Sequence, residues 1–388
     1  MNRWHLLIVI MSLTTADALA DMCSGWAGVG VPVRYAASAD RIVLVRDLDG
    51  DGLPEIIVSG NHVDEFGTLS IFSNRGHGTF AAERLVSRGF GEELRVIADL
   101  NHDGIPDLLT SDYWSNGIVV SLGRGALDFD AGTRYGTATH GGPSLIIDYD
   151  HDGTPDVISF SFGSGNPVRA HLFRGRGDGT LGTKTTFDTQ LANADWPSPR
   201  TINGALEILV NERSGHLGIV RYANGAVTAS TVPAGPGVAD LSSTFADLNG
   251  DGIADIVDTD LIDSTQEPVF ITLGNADGTF GVRTQLAHPR TVSFPNQVRV
   301  KDLDGDGRPD LVVSDFQSRT LHVFRGTGTG DFKEGIAVDA GSEVNSFDIA
   351  DVTGDGYPDI VTANDDHTVS VLMNRGPCPP SRRRAARH

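Results

Sequence analysis

Short runs in which apolar and polar positions alternate recur along the chain, among them TLSIF (68–72), LHVFR (321–325) and VSVLM (369–373). Alternation with period two over about five residues reads as a β-strand. Few stretches carry helical spacing, and Gly- and Pro-rich turns separate the runs, so the pattern predicts an all-β chain. A second type of run is apolar throughout and stands directly behind a cluster of acids, as in DLDGDGLPEIIV (47–58).

That second phrase returns as DLNHDGIPDLLT from Asp99, DYDHDGTPDVIS from Asp148, DLNGDGIADIVD from Asp247, DLDGDGRPDLVV from Asp302 and DVTGDGYPDIVT from Asp351. The starts lie 52, 49, 99, 55 and 49 residues apart, so the one double-length interval predicts a further unit near residue 200. PRTINGALEILVNE (199–212) fills it, keeping the apolar strand after Glu207 but not the acids in front. An independent phrase, SIFSNRGHGTF (70–80) and its relatives VSLGRGALDF, HLFRGRGDGTL, GIVRYANGAV, FITLGNADGTF, HVFRGTGTGDF and SVLMNRG, also occurs seven times. A fixed period of about 50 residues is the mark of a repeat architecture.

Each unit holds four strands, and four-stranded units repeated radially make propeller blades. The last unit stops after SVLMN, while VPVRYAAS (31–38) precedes the first acidic loop as a spare strand. The expected fold is therefore a seven-bladed β-propeller, one domain over residues 21–380, whose last blade is closed by the N-terminal strand. Cys23 and Cys378, the only two cysteines, flank that closure and are expected to pair. Residues 1–20 have a basic tip, a short apolar core and an A-x-A end at Ala20, the pattern of a secretory signal peptide. The expected location is periplasmic or fully extracellular. The basic end 381–388 reads as a disordered tail, and its four arginines provide too few phosphate contacts for nucleic-acid binding at physiological salt.

In the six acidic loops, numbered 1 to 9, position 1 is Asp47, Asp99, Asp148, Asp247, Asp302 and Asp351. Position 3 is Asp49, Asn101, Asp150, Asn249, Asp304 and Thr353; position 5 is Asp51, Asp103, Asp152, Asp251, Asp306 and Asp355. Position 6 is always Gly, and position 9 is Glu55, Asp107, Asp156, Asp255, Asp310 and Asp359. Oxygen ligands at alternate positions around a glycine turn suit a hard cation, and Ca²⁺ best, because it accepts six to eight oxygens in flexible geometry. Position 7 (Leu53, Ile105, Thr154, Ile253, Arg308, Tyr357) would add its backbone carbonyl. Position 12 lacks the bidentate glutamate of an EF-hand, and a strand follows instead of a helix. The six loops carry 21 acidic groups in a chain of formal net charge −21, which six divalent ions would reduce to −9.

The motif D-x-[DNT]-x-D-G-x-x-[DE] before an apolar strand resembles the FG-GAP and VCBS repeat families, the propeller repeats of integrin α-chains and many exported bacterial proteins. That resemblance covers nearly all of the chain after residue 20. It implies seven blades, structural calcium between the first two strands of a blade, and no ion in the unit near residue 200. It also implies a glycan or extracellular protein ligand on the face opposite the calcium loops. Connections expected on that face include 60–67, 111–117, 161–167, 211–215, 258–268, 314–319 and 363–367, with Tyr113, Trp114 and Trp196 as candidates for stacking on sugar rings. The other reading is a polysaccharide lyase or glycoside hydrolase, for which His62, Asp64 and His367 are the candidate catalytic residues, with Glu65, Asp365 and Asp366 beside them. No nucleophile motif, phosphate loop or His/Cys metal cluster accompanies them. Arg176-Gly177-Asp178 has the form of an adhesion tripeptide, but it occupies the Gly-rich turn that the other repeats also carry.

Overall fold

The computed structural model describes residues 28–376 apart from 61–67, 88–91, 113–115, 138–139, 163–167, 192–194, 213–215, 224–225, 234–239, 261–268, 287–291, 293–294, 316–317 and 334. Among the described residues there is no helix, hence none long and apolar enough to cross a membrane.

Seven antiparallel four-stranded sheets follow one another. The first blade is β2 (Ile42–Arg46), β3 (Glu55–Gly60), β4 (Thr68–Phe72) and β5 (Arg84–Ser87). The second is β6 (Glu92–Ala98), β7 (Asp107–Asp112), β8 (Gly117–Ser121) and β11 (Thr133–Gly136), with a small ribbon of β9 (Gly123–Gly125) and β10 (Asp128–Phe129) before its last strand. The third is β12 (His140–Ile147), β13 (Asp156–Phe162), β14 (Arg169–Phe173) and β15 (Thr185–Asp188). The fourth is β16 (Asp195–Ile202), β17 (Ala205–Glu212), β18 (His216–Ala223) and β19 (Ala226–Pro233). The fifth is β20 (Asp240–Ala246), β21 (Asp255–Asp260), β22 (Val269–Thr272) and β23 (Thr284–Gln285); the sixth is β24 (Pro295–Lys301), β25 (Asp310–Asp315), β26 (Thr320–Phe324) and β27 (Ile336–Asp339). The seventh joins β28 (Val344–Ala350), β29 (Asp359–Asn364) and β30 (Thr368–Leu372) to β1 (Val33–Ala36) from the other end of the chain.

Each first strand packs against the first strands of both neighbours, from β2 round to β28 and back to β2, so the blades form a closed ring. Closure is the expected one. β1 runs antiparallel to β30 with Val33 opposite Val371, and a bridge from Val29 to Asn374 extends the pairing. Arg375 N donates to Gly28 O at 2.7 Å. Both cysteines, the leader 1–20 and the tail 381–388 lie outside the described residues.

The core is distributed between the blades. Seven apolar clusters occupy the seven contacts between neighbours, with Val43, Val45, Ile56 and Val58 meeting Val361, Ala363, Val369 and Val371 across the junction that closes the ring. Second strands are therefore covered on both faces. Ile56 and Val58 point to the seventh blade and Ile57 to the second, and all three are fully buried. A strand buried on both sides has no polar face to alternate with, which is why these segments read as solid apolar runs.

Candidate functional site: the acidic rim

Every acidic loop joins the first and second strands of its blade, so all six lie on one end of the ring together with the Gly-rich turns that link third to fourth strands. Position 4 requires a left-handed backbone. Glycine supplies it in four loops (φ 73–78°) and His102 and His151 adopt it in the other two (φ 60° and 59°). Position 6 is glycine with φ of 80–90° throughout.

The position 1 carboxylate organises the turn. Asp47 Oδ1 accepts the Gly50 N–H at 2.8 Å and Oδ2 the Gly52 N–H at 2.9 Å; Asp247 repeats this at 2.8 Å to Gly250 and Gly252, and Asp302 at 2.8 Å to Gly305 and Gly307. Position 5 accepts the position 7 N–H, from 2.7 Å at Leu53 and Thr154 to 3.0 Å at Arg308 and Tyr357. These carboxylates cap backbone donors of the turn, and position 1 is left partly buried except at Asp148, which is exposed.

Position 9 behaves differently. Glu55, Asp107, Asp156, Asp255, Asp310 and Asp359 are all buried, 0–2% exposed. In each, one oxygen accepts the position 2 N–H at 2.8–3.0 Å, from Leu48, Leu100, Tyr149, Leu248, Leu303 and Val352. The other accepts an N–H of the Gly-rich turn: Gly123, Gly175 and Gly274 at 2.8 Å, Gly326 at 2.9 Å, Asn374 at 2.7 Å and, more weakly, Asn74 at 3.4 Å. This carboxylate ties the two repeated phrases of the sequence to each other. Burial raises the pKa of all six above the ordinary carboxylate value, the backbone bonds oppose the rise, and nearby loop carboxylates add to it; Asp359 is pushed up to about 6. An approaching cation would favour the charged form.

Four of the turns use glycine where they meet the loop because the position 8 carbonyl presses on them: a Cβ at Gly175 or Gly326 would sit 2.1 Å from the oxygen of Pro155 or Pro309. Asn74 and Asn374 occupy the equivalent place in the first and seventh blades. The Asn74 side-chain amide donates to Pro54 O and to Val352 O of the seventh blade, both at 3.0 Å. That of Asn374 donates to Pro358 O at 3.0 Å and to Leu303 O of the sixth blade at 2.7 Å.

The donor set fits a hard cation. Carboxylate oxygens of Asp47, Asp49 and Glu55, of Asp148, Asp150 and Asp156, and of Asp302, Asp304 and Asp306 lie within 4.8 Å of one another. Oxygens on opposite sides of one calcium ion stand about 4.8 Å apart, twice a bond of ~2.4 Å. These are the three loops with Asp at position 3.

The fourth blade has no such loop. Asn203 (φ 50°) and Gly204 (φ 72°) turn β16 directly into β17, a two-residue hairpin of the kind Asn-Gly favours. Glu207 precedes Ile208–Val210 as Glu55 precedes Ile56–Val58, so it is the retained position 9 acid. Its partner is an arginine. Arg200 donates to Glu207 Oε2 through Nε (2.9 Å) and Nη2 (2.6 Å), reaches Ala254 O and Gly278 O in the fifth blade at 3.1 and 3.2 Å, and lies against the Phe245 and Phe280 rings. Arg221 adds a bond to Oε1 at 3.0 Å. The unit near residue 200 carries a guanidinium where the others carry a cluster of oxygens. Sequence inspection missed this role, although Arg200 and Glu207 were visible on either side of the NG turn.

Of the residues expected on the opposite face, His62, Asp64, Glu65, Tyr113 and Trp114 lie outside the described residues, as does the side chain of Trp196. His367 is described: it sits in the turn between β29 and β30, half exposed, with Nδ1 3.1 Å from Asp40 Oδ2. Asp366 pairs instead with Arg34 and Thr368, and Asp365 with Ser342. Asp178 of the adhesion-like tripeptide accepts Thr180 N and Oγ1 at 2.9 and 2.6 Å, the same bonds Asp277 makes with Thr279 in the fifth blade. Its carboxylate serves the turn.

Fold and rim together define a seven-bladed β-propeller with six carboxylate loops on one end. Residues 47–110, 99–159 and 302–362 each match the FG-GAP-like repeat model, so the chain carries FG-GAP-like repeats in its first three and last two blades. No curated protein matches the chain. Among solved structures, one described as the crystal structure of BBS1N in complex with ARL6DN, soaked with mercury, is similar with a TM-score of 0.60, at 10% identity over 91% of this chain and 98% of that one. At that identity the likeness is one of fold.

Proposed function

We propose that the protein is an exported, calcium-stabilised binding module that presents a glycan or an extracellular protein ligand on the face opposite the acidic rim. The observation that carries the calcium reading is the sixfold recurrence of one oxygen-donor loop in one place on the fold, with oxygens spaced for a single ion in three of the loops. In this reading positions 1, 3, 5 and 9 and the position 7 carbonyl hold each ion, which supplies charge neutralisation to carboxylates that otherwise repel. A Kd of ~0.1 mM per site with about 1 mM free calcium would contribute roughly 1.4 kcal/mol per site. Six such sites rival the ~5–15 kcal/mol stability of an ordinary domain. A Cys23–Cys378 disulfide would lock the closing blade.

The binding role is supported by the FG-GAP-like propeller, a fold suited to presenting loops, and by the polar and aromatic composition of the connections on the far face. Thermal melting in calcium and in excess chelator tests the ion: the reading requires a large drop on chelation, with elemental analysis finding several calcium ions per chain. A glycan array with and without chelator tests the ligand. Release of unsaturated product from a polyuronate would replace binding by catalysis.

A further inference from the structure

The six loops divide by the residue at position 3, and the difference is matched elsewhere in the blade. Where position 3 is Asn101, Asn249 or Thr353, the first residue after the third strand is Leu122, Leu273 or Met373. Where position 3 is aspartate, that residue is Ser73 in the first blade but Arg174 in the third and Arg325 in the sixth. Both arginines turn onto the extra carboxylate of their own blade. Arg174 Nη1 lies 2.5 Å from Asp150 Oδ2, and Arg325 Nη2 pairs with Asp304 Oδ2 while standing 3.8 Å from Asp306. In the sixth blade Arg308 also grips Asp306, through Nε at 3.0 Å and through Nη2.

We infer that Arg174 and Arg325 are internal counter-cations that compete with the metal ion for the position 3 carboxylate. They would make the Asp47–Glu55 loop the tightest calcium site and hold the other two four-carboxylate loops as weaker ones. The inference rests on the calcium reading above and adds which residues set the affinities. A guanidinium and an ion cannot use the same oxygen at full strength, so binding at the third and sixth blades must first displace an arginine. With Arg174 counted, the third-blade loop carries a net −3, equal to the three-carboxylate loops; with Arg325 and Arg308 both counted, the sixth-blade loop carries −2. Only the first blade, with Ser73 in that place, presents −4 without such an arginine. The cost of displacement differs between the two. Arg174 is 59% exposed, so its pair is screened by water, whereas the side chain of Asp304 is 1% exposed beneath Arg325. Calcium should therefore fill the first blade before the third, and the third before the sixth.

The test is calorimetric titration of the full chain, stripped of metal, with Ca²⁺ alone. The expected result is that Arg174→Met tightens one site by about two- to fivefold and Arg325→Met another by about tenfold, while Asp49→Asn removes the tightest class. Arg174→Lys, which keeps a positive charge, should restore most of the weak binding. Calcium uptake by the wild-type chain with affinities that ignore these arginines, or that weaken when they are removed, would overturn this inference and leave the calcium reading intact. No uptake by the wild-type chain would overturn both. Should Arg325→Met fail to fold, the exposed Arg174 decides the matter by itself.

Discussion

Arg200 donates two hydrogen bonds to a single oxygen of Glu207, at 2.9 and 2.6 Å, and both side chains are almost wholly buried. The pair stands where the other six blades gather oxygens around a turn. Removing one member of a buried ion pair costs about 3–5 kcal/mol when the charge left behind has no other partner. Glu207 keeps Arg221 on Oε1, so the expected loss is about 2–3 kcal/mol. Arg200→Met is therefore expected to destabilise the ring by that amount in calcium and in chelator alike, measured by urea denaturation. Equal losses in the two media would mark this blade as independent of metal.

Position 9 can be separated from the ion by the same measurement. Asp255 accepts Leu248 N and Gly274 N with its two oxygens, and an amide in its place would turn an NH2 towards one of those donors. Asp255→Asn is expected to cost about 2–4 kcal/mol even in excess chelator, whereas Asp251→Asn, exposed in the same loop, should then cost under about 1 kcal/mol. If both variants were neutral without metal, the position 9 acids would be ligands only.

His171 supplies a pH dependence away from the rim. It is buried in β14, with Nε2 2.6 Å from Ser161 Oγ and Nδ1 2.9 Å from Thr186 Oγ1, and burial, helped by Lys184 and Arg169, lowers its pKa to about 4. Above pH 6.5 the imidazole is neutral in both folded and unfolded chains. Between 6.5 and about 4 the unfolded chain takes up a proton that the folded chain refuses, so stability falls as pH falls, by at most about 1.4 kcal/mol per pH unit, levelling off below about 4. Denaturation at pH 7 and 4.5 should show a smaller acid loss for His171→Gln than for the wild type.

Ring closure can be opened and restored. Deleting the segment through Ala36 removes the partner of β30 and exposes an edge strand backed by Val369 and Val371, which are fully buried in the closed ring. The truncated chain is expected to melt lower and to self-associate in size-exclusion chromatography with light scattering, as unpaired apolar edges do. A synthetic peptide of residues 28–38 should reverse both effects by adding back the strand.

Much of the fold was legible because the repeat is written locally. The phase of Asp47, Asp49, Asp51 and Glu55 before an apolar strand, six times over, located the loops, and the missing strand after SVLMN located the closure at VPVRYAAS. Part of the rim was not legible. The nine-residue motif presents Glu55 or Asp359 as one more ligand, yet their burial and their bonds to the Gly-rich turn depend on a segment 15 to 19 residues further on. Arg174 and Arg325 looked like ordinary turn residues until the third strand placed them over Asp150 and Asp304.

The sequence by itself determined the number of blades, the strand order and the places where oxygens converge, because each depends on spacing within a unit or on counting units. Tertiary structure alone decided which face of each second strand meets which neighbour, and which carboxylate is sealed inward. It also decided where guanidinium groups meet the carboxylates. Those outcomes are fixed by contacts between blades and between loops of one blade, where burial strips water from a charge and makes its nearest partner matter more than its position in the motif.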